Sequence, residues 1–138
     1  MITQCKCNKG ERGFMPVYKT KEAACADVLL PEDILINPGR TYKIPLDISF
    51  DIPIGFKIVM YPRSSLLVKY SIMQPTSIID SDYSGMEVHV PLFNAGDCAI
   101  AFKRGDAIAQ IECVPKYDCM DWIHKQEVRT GGFGSTGK

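Results

Sequence analysis

Asp80 closes the apolar pair Ile78-Ile79 and opens the segment Asp80-Ser81-Asp82-Tyr83-Ser84-Gly85. A carboxylate at the end of a strand is well aimed to activate a water beside a phosphorus atom, and a tyrosine three residues later offers a ring to a sugar. The same letters are also ordinary formers of a hairpin bend. Tyr61-Pro62-Arg63-Ser64-Ser65 ends a β-rich run and opens a helix-like one. A serine N-cap and free backbone N–H groups there favour an anion, with Arg63 adding charge, although a plain cap with a solvated arginine explains the segment equally. Gln110 sits among apolar residues, where its amide needs a partner or faces solvent. Asp27 stands between small and apolar residues and reads, taken alone, as a strand-end carboxylate. The last residues, Thr130-Gly131-Gly132-Phe133-Gly134-Ser135-Thr136-Gly137-Lys138, follow Arg129. Unhindered glycine N–H groups can wrap an oxyanion and an arginine can bond it bidentately. A tail of this composition is otherwise mobile.

These groups need a scaffold, and the periodicity supplies strands. Ile44, Leu46, Ile48, Phe50 and Ile52 alternate with Pro45, Asp47, Ser49 and Asp51, the period of a half-buried strand. Alternation resumes at Phe56, Ile58 and Met60 after Pro53-Ile54-Gly55, which predicts an antiparallel hairpin. Val88, Val90 and Leu92 alternate again, and residues 99–102 and 108–114 are β-rich. Turn signals at Asn37-Pro38-Gly39, Ser84-Gly85, Asn94-Ala95-Gly96 and Arg104-Gly105-Asp106 space these runs as in a compact β-barrel or sandwich. Only residues 64–70 resemble a helix. The composition shift after Val128 divides the chain into a β domain, residues 1–128, and an arm, residues 129–138.

With 138 residues there is room for one domain. Sixteen basic residues balance sixteen acidic ones, so no global field favours stable binding to nucleic acid or membrane, and any phosphate site must be local. The N-terminus lacks the apolar core of a signal peptide, so a cytoplasmic protein with six reduced cysteines is expected. His89 and His124 are isolated from one another, Cys5-Lys6-Cys7 is too tight for a usual zinc half-site, and Arg104-Gly105-Asp106 reads as a turn.

Taken in order, the segments Ala24-Cys25-Ala26-Asp27-Val28, Pro62-Arg63-Ser64-Ser65, Ile79 to Gly85, Gly105-Asp106-Ala107-Ile108-Ala109-Gln110 and Gly131 to Gly137 closely resemble the five motifs of the homotrimeric dUTPase family. The resemblance spans roughly residues 14 to 138. It implies an all-β fold, a jelly-roll-like β-barrel that trimerises, with active sites at subunit interfaces and the glycine-rich arm closing over them. It also implies hydrolysis of dUTP to dUMP and pyrophosphate with Mg²⁺. Asp80 would hold or deprotonate the attacking water and Tyr83 would pack beneath the deoxyribose. Arg63, Ser64, Ser65 and Gln110 would grip the α- and β-phosphates, with Arg129, Ser135 and Thr136 on the γ-phosphate. Phe133, within the clasp that includes Gly134, would cover uracil, Gln74 would add an amide contact to it, and Asp27 would touch magnesium through water. The chain departs from the family pattern at Ser65, Ser77 and Cys25, where glycine is frequent, at Val28, where leucine is, and in the spacing of Arg129.

Two other readings share the scaffold. A dCTP deaminase would carry Asp-Pro-Gly-aromatic after the isoleucine in place of Asp80-Ser81-Asp82-Tyr83. A nucleotide-switched binder of a regulatory protein would keep the pocket for binding. A structural β-sandwich module accounts for the strands and leaves the arm unexplained.

Overall fold

The computed structural model describes residues 4–118. Among the described residues there are eleven strands, β1 (Lys6–Lys9), β2 (Ala26–Leu29), β3 (Ile34–Ile36), β4 (Thr41–Pro45), β5 (Ile48–Asp51), β6 (Phe56–Tyr61), β7 (Ile72–Met73), β8 (Ser77–Ile79), β9 (His89–Asn94), β10 (Ile100–Phe102) and β11 (Ala107–Pro115), and one largely exposed α-helix, α1 (Ser64–Tyr70). The strands pair antiparallel in four small sheets, ordered β2-β11-β6-β8, β4-β9-β7, β1-β5 and β10-β3. The arm and its residues Arg129, Phe133, Gly134, Ser135 and Thr136 lie outside the described residues, as do Cys119 and His124.

The period-two pattern correctly marks the buried face. Ile44, Leu46, Ile48, Phe50 and Ile52 are all buried, as are Val88, Val90 and Leu92. They pack with Ile58, Met60, Ile79, Ile108 and Ile111 into one core, where each large side chain contributes about 1.5–3 kcal/mol by leaving water.

The hairpin expected across residues 44–60 does not form. Asp47 takes a positive φ of 54°, which breaks the run into β4 and β5 in different sheets. Its carboxylate is occupied by the N–H groups of Arg12 and Gly13, and a Cβ at Gly10 would collide with it. β5 then pairs with β1, and β6 pairs with β11 and β8. Gly55 makes its turn at φ 90° without joining β5 to β6 as partners.

Asn94, read from the sequence as part of a turn, is a fully buried end to β9. Its Nδ2 donates to Ile36 O at 3.0 Å and Cys98 O at 2.8 Å, and its Oδ1 accepts from Gly96 N at 2.9 Å. A buried amide with these three bonds ties β3, β9 and the approach to β10 together.

The five described cysteines are free thiols. Burial, then the neighbouring Cys113 thiol, pushes Cys5 up to about 12. Cys5 should therefore alkylate with iodoacetamide far more slowly than exposed Cys98 at about pH 8, with a rate still climbing in alkali where an ordinary thiol has levelled off. Peptide mapping by mass spectrometry checks this, and equal labelling of the two would contradict it.

Candidate functional site

The site is built where β6 and β11 part. Their ladder runs from Phe56↔Pro115 to Tyr61↔Gln110 and stops there. Pro62 has no N–H with which to extend it, and the chain turns into α1. β11 continues beside β2 alone, with a register shift between Ala107 and Ala109. In the resulting gap the Arg63 Nη1 donates to Ala107 O at 3.1 Å, and the Gln110 Nε2 donates to Pro62 O at 3.0 Å. Asp27 on β2 stands directly opposite Gln110 and meets the Arg63 guanidinium at 3.8 Å.

Residues from three distant sequence segments thus converge as one cation, one buried carboxylate and one amide. The carboxylate aims the guanidinium, and the partly exposed remainder of Arg63, with five donors in a fork, suits phosphate. Ser64 and Ser65 begin α1 beside it. The serine N-cap expected from the sequence is corrected: Arg63 occupies the N-cap in extended backbone with no side-chain capping bond, so the serine hydroxyls are not consumed in capping.

Arg63 and Ser64 also line a cavity of about 670 Å³ whose walls include Leu67, Ile72, Met73, Gln74 and Phe93. Both amide atoms of Gln74 are buried without a hydrogen-bond partner among the described residues. An orphaned amide costs about 1–3 kcal/mol, so this position favours a ligand that can satisfy it.

Asp80 and Tyr83 belong to a different place. Asp80 follows β8 as expected and is exposed, at the start of a 3-10 turn spanning Ser81–Tyr83. The turn is not the bend of a hairpin, because β8 pairs with β6 and β9 pairs with β4 and β7. It is rigidly held: Tyr83 N donates to Asp80 O at 3.0 Å, Ser84 Oγ donates to Ser81 O at 2.7 Å, and Gly85 N donates to Phe50 O at 3.0 Å. The Tyr83 ring is buried and its hydroxyl donates to Glu87 O at 2.6 Å, so the ring can offer a fixed apolar edge.

The register measures the separation. Ile79 pairs with Ile58, which sets Asp80 level with Lys57 near the start of β6, whereas Arg63 lies two residues past the strand's end at Tyr61, at most about 20 Å away at strand rise. Asp80 and Arg63 of one chain thus stand toward opposite ends of β6.

Sequence reasoning missed Tyr61 and Glu112, whose side chains join across the ladder at 2.7 Å beside Gln110. That hydrogen bond holds the Tyr61 phenol above its usual range. Burial, then the Glu112 and Asp27 carboxylates, raises nearby Cys25. Among the described residues, no three His, Cys, Asp or Glu side chains converge as a metal cage. A single carboxylate, Asp27, fits a hydrated Mg²⁺ that takes its other ligands from water and phosphates.

Comparison with known proteins identifies the family. The dUTPase family model matches residues 11–137. A deoxyuridine 5'-triphosphate nucleotidohydrolase of Nautilia profundicola is 36% identical over 134 residues, covering 93% of this chain and 94% of that protein. One from Chlamydia muridarum is 38% identical over 144 aligned positions, covering 97% of each. Among solved structures, a mutant dUTPase of Staphylococcus phage 80alpha superposes with a TM-score of 0.80 at 19% identity, covering 98% of this chain and 99% of that one. A mutant dUTPase from phage phi11 of S. aureus, described with a structural Mg(II) ion, superposes with a TM-score of 0.77 at 20% identity, covering 93% and 99%. No helix among the described residues is long and apolar enough to cross a membrane. The family match runs over nearly the whole sequence, and the chain belongs to the dUTPase family.

Proposed function

We propose that this protein hydrolyses dUTP to dUMP and pyrophosphate in a homotrimer whose active sites are shared between subunits. The observation that carries the reading is the convergence of Asp27, Arg63 and Gln110 at the open end of β6 and β11. Arg63, Ser64, Ser65 and Gln110 of one subunit grip the α- and β-phosphates. Asp80 and Tyr83 of a neighbouring subunit hold the attacking water and the deoxyribose, since the two groups stand toward opposite ends of β6 within one chain. The arm of residues 129–138 brings Arg129, Ser135 and Thr136 to the γ-phosphate and lays Phe133, with Gly134 beside it, over uracil. Gln74, with its unpartnered amide, bonds the base.

The reaction is an in-line displacement. Asp80 accepts a proton as the water oxygen bonds the α-phosphorus, and the bond from that phosphorus to the bridging oxygen breaks to release pyrophosphate. No covalent intermediate on the protein is required. Asp27 would hold a phosphate-bound Mg²⁺ through water, and the ion, when bound, would neutralise charge on the leaving group. Arg63, aimed by Asp27, adds a fixed positive charge. The buried Tyr83 ring occupies the space a ribose 2′-hydroxyl would need.

Pyrophosphate release with Mg²⁺ from dUTP, dTTP, dCTP and UTP tests the proposal. Release is expected from dUTP alone. No release from any of the four by a folded trimer would overturn the enzymatic reading and leave a nucleotide-binding module.

A further inference from the structure

The open end of the β6–β11 seam has a pin at its vertex. Tyr61 and Gln110 form the last pair of the ladder. Directly opposed residues share a face, and so do residues two apart on a strand. Tyr61, Gln110 and Glu112 therefore lie together, and Arg63 follows two residues beyond Tyr61. From that last pair onward the backbone of Pro62-Arg63 leaves β11, and the gap is spanned by side chains, Arg63 to Ala107 O and Gln110 to Pro62 O. The angle of departure is therefore sensitive to what holds its vertex, where Tyr61 donates to Glu112 Oε1 at 2.7 Å.

We propose that the Tyr61–Glu112 hydrogen bond is a positioning device for the phosphate grip, setting the angle at which Pro62-Arg63-Ser64 leaves β11 and so the reach of Arg63 and Gln110 toward a triphosphate. The inference rests on the phosphate-binding role of Arg63 and Gln110 proposed above. The chemistry of the pair is apt. A bare carboxylate this close to a polyphosphate would repel it, whereas one engaged by a phenol has part of its charge drawn into a hydrogen bond. A phenol stays protonated across the neutral range, and Glu112 raises the Tyr61 pKa further, so the donor of this bond is kept.

The test uses the full-length trimer with dUTP and Mg²⁺, reading KM and kcat from pyrophosphate release beside the melting temperature. Tyr61→Phe and Glu112→Ala should each raise KM about five- to tenfold with kcat changed less than about twofold, the size expected for losing one hydrogen bond to a charged group. The double variant Y61F/E112A should be no worse than the poorer single, because both remove the same bond. Glu112→Gln keeps an acceptor oxygen and should restore KM to within about twofold of the parent. Additive effects in the double variant, a Glu112→Gln variant as impaired as Glu112→Ala, or a fall in melting temperature with unchanged KM would overturn the proposal. Arg63→Ala, measured beside them, separates the two layers. If it raises KM while Y61F does not, the pin alone fails; if it leaves KM unchanged, the phosphate-grip reading itself fails.

Discussion

Asp80→Asn lowers the turnover of dUTP by about a thousandfold or more while leaving substrate affinity nearly unchanged. The carboxylate is exposed and makes no capping bond to the turn, whose backbone is held through Tyr83 N to Asp80 O and through the Ser81–Ser84 and Phe50–Gly85 bonds. Asparagine has the same shape, so the turn should survive. It cannot accept a proton at neutral pH, and its NH₂ group turns a donor toward the water that needs an acceptor. The proposed phosphate contacts lie elsewhere, on Arg63, Ser64 and Gln110, so binding should be spared. Single-turnover kinetics and calorimetry with a non-hydrolysable dUTP analogue separate the two effects. Turnover within tenfold of the parent would remove Asp80 from proton transfer.

Two impaired variants mixed together should regain activity when assayed at dUTP well below the raised KM of Arg63→Ala. Asp80→Asn retains Arg63, and Arg63→Ala retains Asp80. If each site draws Asp80 from one subunit and Arg63 from the next, denaturing and refolding an equal mixture creates intact sites at random. In a closed ring with a single direction of contact, about a quarter of sites then carry both native residues, so about a quarter of parent activity should return. The prediction follows from the register, because Ile79↔Ile58 places Asp80 at the start of β6 and Arg63 lies beyond its other end. Refolding each variant alone supplies the baseline. A mixture no more active than the mean of its components would place Asp80 and Arg63 in one subunit's site and contradict the shared arrangement.

Much of the fold was legible in local pattern. The alternation in residues 44–52 and 88–92 identified buried faces correctly, and residues 64–70 form α1. Partners were not legible. A period of two is the same whichever strand lies alongside, so Phe56, Ile58 and Met60 looked like the return arm of a hairpin, whereas β6 pairs with β11 and β8. The decisive interruption at Asp47 depends on Arg12 and Gly13 filling its carboxylate, a contact across more than thirty residues.

The site shows the same division. Taken alone, Asp27, Arg63, Gln110, Asp80 and Tyr83 each had an ordinary structural reading in the sequence, and it was the ordered resemblance of their segments to the dUTPase motifs that singled them out. Tertiary structure decided which of them meet. Antiparallel pairing carried Asp27 and Gln110 opposite one another and brought Arg63 to Asp27 and its neighbour Pro62 to Gln110, while the pairing of β6 with β8 sent Asp80 to the far end of the same strand. It also joined Tyr61 to Glu112 across 51 residues. Chemistry is a property of the residue and can be read where it stands; proximity is set by strand register summed over the whole chain, which local sequence does not specify.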